Sequence, residues 1–287
     1  MRTVRDVTSL REQVAQARMA ARIVAFVPTM GALHEGHLSL VRLARREGGL
    51  TVASIFVNPL QFGPNEDLSK YPRREKDDSV LLEAENVDVL YLPTETSLYP
   101  PDFSTVVEVA GVTEGGEGAA RPGHFRGVAT VVLKLLLRVL PDVAVFGRKD
   151  LQQVAVVRRM IRDLDLPIRL VVGEIVREPD GLAMSSRNAY LSPEDRRRAA
   201  DLSRTLFAAK ARADHGATDA RLLEEEAVRQ LEAARFQIDY VEAVDERTMR
   251  RAERVAPGVA LTAAVRLGST RLIDNVLLVE PERVRRR

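Results

Sequence analysis

Short apolar runs alternate with longer amphipathic segments through the first half of the chain. The runs are rich in valine, isoleucine and leucine, and the longer segments repeat apolar residues at helical spacing. This alternation is typical of a parallel sheet whose strands are joined by covering helices. We therefore predict a doubly wound α/β fold with strands at residues 23–27, 51–57, 87–92, 143–146 and 168–172.

Two of the segments between these strands have clear helical patterns. Segment 38–46 carries its apolar residues on one face and is followed by Gly48 and Gly49, which suit a C-terminal cap. We expect this helix to begin just after His37. Segment 128–140 is almost entirely apolar but too short to cross a bilayer, so we expect a helix largely buried in the fold.

The pattern changes after residue 178. Residues 193–235 read as charged, alanine-rich helices with a break near 214–216, and three β-like runs follow. These runs lie at 238–244, 259–266 and 272–278. We predict a first domain at 1–178 and a smaller C-terminal α+β domain at 179–287, whose last three arginines form a solvated end.

Composition narrows the possible functions of the 287 residues. The chain is 45% hydrophobic and 29% charged, which suits a folded protein rather than a disordered one. Cysteine is absent, which excludes disulfides, thiolate metal sites and cysteine nucleophiles and fits a reducing compartment. The formal charge is only +2, and we find neither a secretory signal nor a membrane span. We expect a cytoplasmic protein that binds neither nucleic acid nor membrane.

The first predicted strand leads into a turn with two histidines, His34 and His37, at a helix entrance. The chain has neither a Walker loop nor a dinucleotide-binding glycine motif after this strand. Two histidines three residues apart can face the same side, where the helix dipole and free N–H groups favour a phosphate. The plainer alternative is that they only cap or pack the turn. A metalloprotease is excluded, because its ligands stand four residues apart.

Uncharged amides follow the second predicted strand. Asn58 and Gln61 lie where doubly wound folds bind ligands, at the carboxyl edge of the sheet. A neutral amide can orient a carboxylate while reducing its nucleophilicity less than an arginine would, so Gln61 suits an attacking carboxylate. The alternative is that residues 58–59 form only a turn.

Three later segments carry further polar candidates. The basic loop 121–127 suits either anion binding or helix capping. Lys149, one of five lysines among 43 basic residues, stands at another strand-to-helix switch, ahead of Gln152 and Gln153. Segment 181–188 joins the two predicted domains. Its two serines and arginine could hold a leaving pyrophosphate, and they are Ser185, Ser186 and Arg187.

These motifs together resemble the pantothenate synthetase family. The segments PTMGALHEGH, FVNPLQFG, RPGHFRGV, FGRKDLQQ and GLAMSSRN occur in the family's order over nearly the whole chain. The histidine element alone marks only a wider superfamily of nucleotidylyltransferases and class I tRNA synthetases. The resemblance implies a Rossmann-like ATP- and pantoate-binding domain and a smaller lid domain. It also implies the condensation of (R)-pantoate with β-alanine to pantothenate, AMP and pyrophosphate through a pantoyl adenylate.

The resemblance also assigns roles to residues of this chain. It implies that His34 and His37 contact the phosphates, with His37 as proton donor, and that Lys149 and the serine–arginine segment stabilise the α-phosphate and pyrophosphate. Gln61 and Gln153 would bind pantoate, and Asn58 is a further candidate. The implied nucleotide site comprises Met30, Gly31, Ala32, Leu33, His34, Glu35, Gly36, His37, Gly147, Arg148, Lys149, Asp150, Val176, Met184, Ser185, Ser186 and Arg187.

Three further expectations come with this resemblance. Magnesium is expected with ATP, carried mainly by its phosphates, and Asp77 and Asp78 are candidate ligands. The family is typically a homodimer. Many relatives carry a glutamate where Arg148 stands, which changes the local charge balance but leaves Lys149 and Asp150 in place.

Two other functions remain open from the sequence alone. A nucleotidylyltransferase that acts on another acid or on a phosphate ester would share the histidine motif, but it would not need Gln61 and Gln153 as a neutral pocket. A nucleotide-binding regulatory protein would not need both histidines, Lys149 and the serine pair.

Overall fold

Six parallel strands form the sheet of the first half of the chain in the computed structural model, which describes residues 1–64 and 66–280. The sheet order is β1-β4-β3-β2-β5-β6, and all five neighbouring pairs are parallel. The strands are β1 (Arg2–Val4), β2 (Val24–Thr29), β3 (Leu50–Ile55), β4 (Val89–Tyr91), β5 (Val143–Gly147) and β6 (Arg169–Gly173).

The connections between these strands run in two directions. From β2 the chain moves outward to β3 and β4 on one side, and from β5 it moves outward to β6 on the other. The order therefore reverses between β2 and β5, and open α/β sheets bind ligands at the carboxyl ends of the strands beside such a point. The helices here are α1 (Val7–Met19), α2 (Glu35–Arg46), α3 (Glu75–Ala84), α4 (Glu95–Leu98), α5 (Gly116–Ala120), α6 (His124–Val139) and α7 (Leu151–Asp163).

The core of the sheet explains its apolar sequence. Nearly every residue of β2 and β3 is buried, as expected of strands covered on both faces. Helix α2 buries Leu40, Val41 and Ala44 in the same core, and α6 is buried along most of its length. These contacts fix the ends of β2 and α2, between which the histidine turn lies.

The C-terminal region is an antiparallel three-stranded sheet with two helices. The helices are α8 (Pro193–Asp214) and α9 (Ala220–Ala233), and the strands are β7 (Gln237–Asp245), β8 (Val259–Leu267) and β9 (Thr270–Leu277). The sheet order is β7-β8-β9. Both helices pack on it through a core of leucine, alanine and valine side chains.

The chain divides into two compact units. The first comprises residues 1–109, 121–148 and 156–176, and the second comprises 110–120, 149–155 and 177–287. The predicted boundary at 178/179 differs from this division mainly in segments 110–120 and 149–155, which come from the first half of the sequence but group with the second unit. The terminal arginines expected to be solvated lie outside the described residues.

The predicted fold class is confirmed, with local differences. The first predicted strand begins one residue later than expected, and the sequence pattern does not predict β1, because three residues are too few to show a period. Helix α2 begins at Glu35 rather than after His37, since His34 caps it. Among residues 1–64 and 66–280, none of the helices has the length and apolarity to cross a membrane.

Candidate active site

The turn after β2 is held by hydrogen bonds from two other elements. Thr29 donates its hydroxyl to the Ser54 carbonyl (2.8 Å) and accepts the Gly31 N–H (3.2 Å). Gly31 has φ of +84°, and a Cβ there would stand 2.9 Å from an Asp78 oxygen. A side chain at this position would be strained and would also collide, so glycine is required.

Asp78 of α3 holds the same turn. Its two carboxylate oxygens accept the N–H groups of Ala32 and Leu33, each at 2.8 Å, and the residue is 2% exposed. Burial raises the pKa of the Asp78 carboxyl, although the two backbone N–H groups oppose the shift. Asp78 is therefore a backbone anchor.

A metal role for Asp77 and Asp78 stays a prediction. Asp77 is exposed on α3, whereas both oxygens of Asp78 are engaged with the backbone of the turn. Across the part of the chain that the structure describes, no three histidine, cysteine or acidic side chains gather as a metal site would require.

The two histidines cap α2 from both sides. The Nδ1 atom of His34 accepts the Gly36 N–H (3.1 Å), and the Nδ1 atom of His37 accepts the His34 N–H (3.4 Å). The ring centroids are 4.2 Å apart, and both residues are half-buried. Because each Nδ1 accepts, the proton of each neutral imidazole lies on Nε2. The capping alternative offered by the sequence is therefore present, and since these two caps use only the Nδ1 atom of each ring, they do not exclude phosphate binding.

Glu35 places a negative charge in the first turn of α2, where an anion would bind. Arg42 offsets part of this charge: its Nη1 and Nη2 atoms donate to the two Glu35 oxygens at 2.6 and 2.8 Å, while its Nε donates to Glu85. These hydrogen bonds lower the pKa of the Glu35 carboxyl. Arg42 therefore reduces the repulsion that Glu35 exerts on an anion, and the attraction at the N-terminus of α2 comes from its N–H groups and dipole.

Gln61 has a fixed amide orientation. Its Oε1 accepts from the Asn58 amide (3.0 Å), and its Nε2 lies 3.2 Å from the Met30 sulfur. These contacts connect the turn after β3 to the histidine turn after β2. The amide therefore presents a donor group at the carboxyl edge of the sheet.

Asn58 supports this orientation from a buried position, with 1% exposure. Its amide nitrogen also donates to the Gly127 carbonyl (3.2 Å), and its oxygen accepts from the Tyr99 hydroxyl (2.8 Å) and the Leu60 N–H (3.4 Å). Two donors and two acceptor positions exhaust the capacity of an amide. Direct substrate binding by Asn58 stays a prediction, and the structure shows it orienting Gln61.

The basic loop predicted at 121–127 packs against the backbone of Gln61. The His124 Nδ1 atom lies 2.8 Å from the Gln61 carbonyl, and its Nε2 atom lies 3.1 Å from Arg121 Nη1. Arg121 forms a two-point ion pair with Glu66, both contacts at 2.7 Å. An added Cβ at Gly127 would lie 2.1 Å from the Leu60 carbonyl oxygen, so only glycine permits this approach. The loop positions Gln61.

Gly147 ends β5 and Arg148 follows it in the first unit, and Val176 lies at the end of that unit. The Arg148 N–H donates to the Gly173 carbonyl (2.8 Å), and its guanidinium contacts Glu174 (3.1 Å). The charge of Arg148 is therefore matched locally, although Glu174 is too exposed for a strong interaction.

Two neighbouring glutamines of the second unit, Gln152 and Gln153, have different surroundings. Gln152 is 4% exposed; its nitrogen donates to the Val112 and Gly115 carbonyls, and its oxygen accepts the Glu117 N–H, all at 2.9 Å. Gln153 is half-buried, and its side chain has no hydrogen-bond partner within residues 1–64 and 66–280. Gln152 is structural, and Gln153 retains its amide for other contacts.

The serine segment is a short turn in the second unit. Ser185 caps the 3-10 turn Ser186–Tyr190 by accepting the Arg187 N–H (3.2 Å). Asn188 closes the turn by donating to the Ala183 carbonyl (3.1 Å). Met184 and the three polar candidates after it are half-buried.

The candidate residues thus form two groups, each within one unit. In the first unit, the histidine turn and Gln61 are directly connected through Met30. In the second unit, Lys149 and the segment leading to Ser185 both contact β9, through Asn275 and Asp274. Sequence analysis missed these two β9 residues, although adjacent polar residues inside an apolar strand run are a visible signal.

Comparison with known proteins identifies the family. The sequence model of the family described as pantoate-beta-alanine ligase matches residues 2–277. The pantothenate synthetase of Rhizorhabdus wittichii is 51% identical over 281 residues, covering 98% of this chain and 99% of that protein.

Solved structures give the same result. The pantothenate synthetase of Thermus thermophilus superposes with a TM-score of 0.92 at 47% identity, covering 97% of this chain and 100% of that one. The pantoate-beta-alanine ligase of Francisella tularensis, solved in complex with beta-gamma ATP and β-alanine, superposes at 0.80 with 31% identity, covering 97% and 98%. These matches favour the ligase over the other functions left open by the sequence. The chain belongs to the pantoate–β-alanine ligase family.

Proposed function

We propose that this chain condenses (R)-pantoate with β-alanine, using ATP and releasing AMP and pyrophosphate through a pantoyl adenylate. The observation that carries this proposal is the connected group in the first unit. Two imidazoles with Nε2–H donors stand at the N-terminus of α2, and the Gln61 amide is joined to them through Met30. Imidazole donors at a helix N-terminus suit a triphosphate, and a neutral amide suits hydrogen bonding to a carboxylic acid substrate.

In the first step, a pantoate carboxylate oxygen bonds to the α-phosphorus while the bond from that phosphorus to the bridging oxygen breaks. Pyrophosphate leaves with the electron pair. Negative charge grows on the phosphoryl oxygens, so donors fixed before the reaction stabilise the transition state. His34, His37 and the α2 dipole supply this stabilisation in the first unit, and we assign the same task to Lys149, Ser185, Ser186 and Arg187 in the second.

Gln61 and Gln153 are the proposed pantoate ligands. The fixed Gln61 Nε2 donates to an acceptor oxygen of pantoate without adding a positive charge beside the nucleophile. Asn58 and the 121–127 loop act through Gln61, because their contacts end on its side chain or its turn.

In the second step, the β-alanine amine attacks the acyl carbon, loses a proton, and displaces AMP. The mixed anhydride must be protected from water until then. We propose that the smaller C-terminal domain and segment 184–187 serve as this cover.

Magnesium is proposed to enter with ATP rather than on a protein site. The described residues offer no cluster of three acidic or histidine ligands, and the carboxylate of Asp78 is engaged by the Ala32 and Leu33 N–H groups. We also propose a homodimeric, cytoplasmic protein. The cysteine-free sequence suits a reducing compartment, and the molecular mass in solution tests the dimer.

The decisive experiment supplies ATP and pantoate without β-alanine. We expect exchange of labelled pyrophosphate into ATP that depends on pantoate, together with a protein-bound acyl adenylate. Adding β-alanine should then release AMP and pantothenate in equal amounts. Exchange that ignores pantoate would point to a nucleotidylyltransferase of other specificity, and no AMP release with all substrates would contradict catalysis.

A further inference from the structure

Strand β9 contains two buried polar residues side by side, Asp274 and Asn275. Each is only 1% exposed, and neither side chain is needed for the pairing of β9 with β8. Burying a carboxylate and an amide is costly unless each has well-placed partners. Their partners therefore indicate what these residues do.

Asp274 holds the segment that leads to Ser185. Its two oxygens accept from Arg177 Nη1 (2.6 Å) and Nη2 (2.9 Å). Arg177 also donates to the Gly181 carbonyl (3.1 Å), and its guanidinium stacks on the Phe207 ring at 4.8 Å. A β-bridge pairs Arg177 with Ala183. Asp274 thus fixes the start of a short loop whose other end continues into segment 184–187.

Asn275 holds the residue that carries the other proposed phosphate contact. Its amide nitrogen donates to the Lys149 carbonyl at 3.0 Å. This carbonyl lies just ahead of α7, so the bond sets the orientation of the peptide from which the Lys149 side chain departs. The Asn275 N–H also donates to Asp274 Oδ1 (2.7 Å), which joins the two anchors.

We propose that Asp274 and Asn275 form a positioning pair for pyrophosphate departure. Consecutive residues of one rigid strand fix Lys149 and the 177–183 loop relative to each other, within one compact unit. Neither residue contacts substrate. This inference rests on the proposed function, in which Lys149 and segment 184–187 stabilise the leaving group.

The chemistry of the pair favours positioning over simple stabilisation. A buried arginine–carboxylate pair is often no more stabilising than apolar residues of similar size, so stability alone does not account for it. A positioning role does account for the pair, since displacing a catalytic group by roughly 1 Å can cost about a hundredfold in rate. Asp274 and Asn275 hold the 177–183 loop and Lys149 on the same strand, β9.

The test separates the two half-reactions. Asn275→Ala should lower single-turnover adenylation by roughly 10- to 100-fold, while the KM for ATP stays within about threefold. With pantoyl adenylate and β-alanine supplied directly, amide formation should fall by less than about threefold, because no pyrophosphate leaves in that step. An equal loss in both half-reactions, or unchanged adenylation, would overturn the positioning role.

A second variant guards against loss of folding. Asp274→Asn leaves the Arg177 charge without its carboxylate, which threatens stability. The double variant Arg177→Met with Asp274→Leu removes both charges and should fold normally while still losing adenylation selectively. Normal adenylation in this folded variant would contradict the proposal.

Glu224→Gln is the matched control. Glu224 is also buried in the second unit, pairs with Arg251, and accepts the Ala243 N–H at 2.6 Å. It touches neither Lys149 nor the 177–183 loop, so it should lower Tm without changing the ratio of the half-reactions. If the unmodified protein itself shows no pantoate-dependent exchange, the proposed function fails. If the unmodified protein shows this exchange and the variants match it in adenylation, only the positioning role fails.

Discussion

Gly127→Ala is expected to damage pantoate use specifically. The added Cβ would lie 2.1 Å from the Leu60 carbonyl oxygen and 2.6 Å from the Gln61 nitrogen, whereas real Cβ atoms essentially never approach closer than 3.0 Å. Backbone must therefore move by roughly 1 Å, because neither atom belongs to a flexible side chain. The movement falls on the turn Pro59–Gln61, which carries the proposed pantoate ligand.

The magnitude of this change follows from two effects. Overpacking of this kind costs about 1–3 kcal/mol in the free energy of unfolding. A shift of roughly 1 Å in a positioning residue costs about a hundredfold in turnover. We expect the KM for pantoate to rise and adenylation to slow, while ATP binding persists, because the histidine turn is anchored separately by Asp78.

The assay is pantoate-dependent pyrophosphate exchange, with ATP binding and thermal unfolding measured in parallel. Gly63→Ala is the control, since the nearest atom to its Cβ would be in the Glu66 side chain at an ordinary 3.6 Å. A folded Gly127→Ala protein whose pantoate KM and turnover both stay within about threefold of the unmodified values would refute the reasoning.

Four further outcomes are expected. His37→Ala or Lys149→Ala should slow adenylation by about two to three orders of magnitude, roughly 3–4 kcal/mol, in single-turnover mixing; near-normal rates would remove these residues from the transition state. Asn58→Ala leaves the Tyr99 hydroxyl and the Gly127 carbonyl without their partner, so denaturant unfolding should show a loss of about 2–4 kcal/mol, with weaker pantoate use. Asp78→Asn should cost about 1–3 kcal/mol and weaken ATP binding, since an amide nitrogen cannot accept one of the two N–H groups; unchanged Tm and ATP affinity would contradict its anchoring role. Burial raises the pKa of Glu66, but the hydrogen bonds and positive charge of Arg121, with smaller contributions from Gly63 and His124, together outweigh it and lower that pKa. The ion pair therefore stabilises the fold above about pH 4.5 and is lost on acidification, so Glu66→Gln should flatten the fall of Tm below that pH.

The sheet could be predicted because burial leaves a periodic trace in the sequence. Strands β2 and β3 are apolar on both faces, and α6 is apolar along most of its length. Strand β1 could not be predicted, since its pairing with β4 depends on residues far apart in the chain. The sequence pattern places the start of α2 too late because a histidine is an unusual N-cap.

The candidate site also has features that the sequence predicts and features that it does not. The positions of the histidine turn after β2 and of Gln61 after β3 could be predicted from motifs at strand ends, and their substrate contacts stay predictions. The separate tasks of Gln152 and Gln153 could not, because they depend on which residue faces segment 110–120 after folding. The anchoring contacts of Asp78 could not be predicted either, since an acidic residue before folding carries no sign that two distant N–H groups will meet it.

The Asn58–Gln61 hydrogen bond has a consequence for selectivity. Rotating the Gln61 amide by 180° would bring its NH₂ group against that of Asn58, whose own orientation is held by the Tyr99 hydroxyl and the Gly127 carbonyl. The amide is therefore locked as a hydrogen-bond donor. At its nitrogen, an incoming molecule gains a hydrogen bond only by offering a lone pair, so an ammonium group gains nothing from that atom. In the proposed pantoate site, this oriented nitrogen would favour a carboxylate or hydroxyl oxygen over an ammonium group.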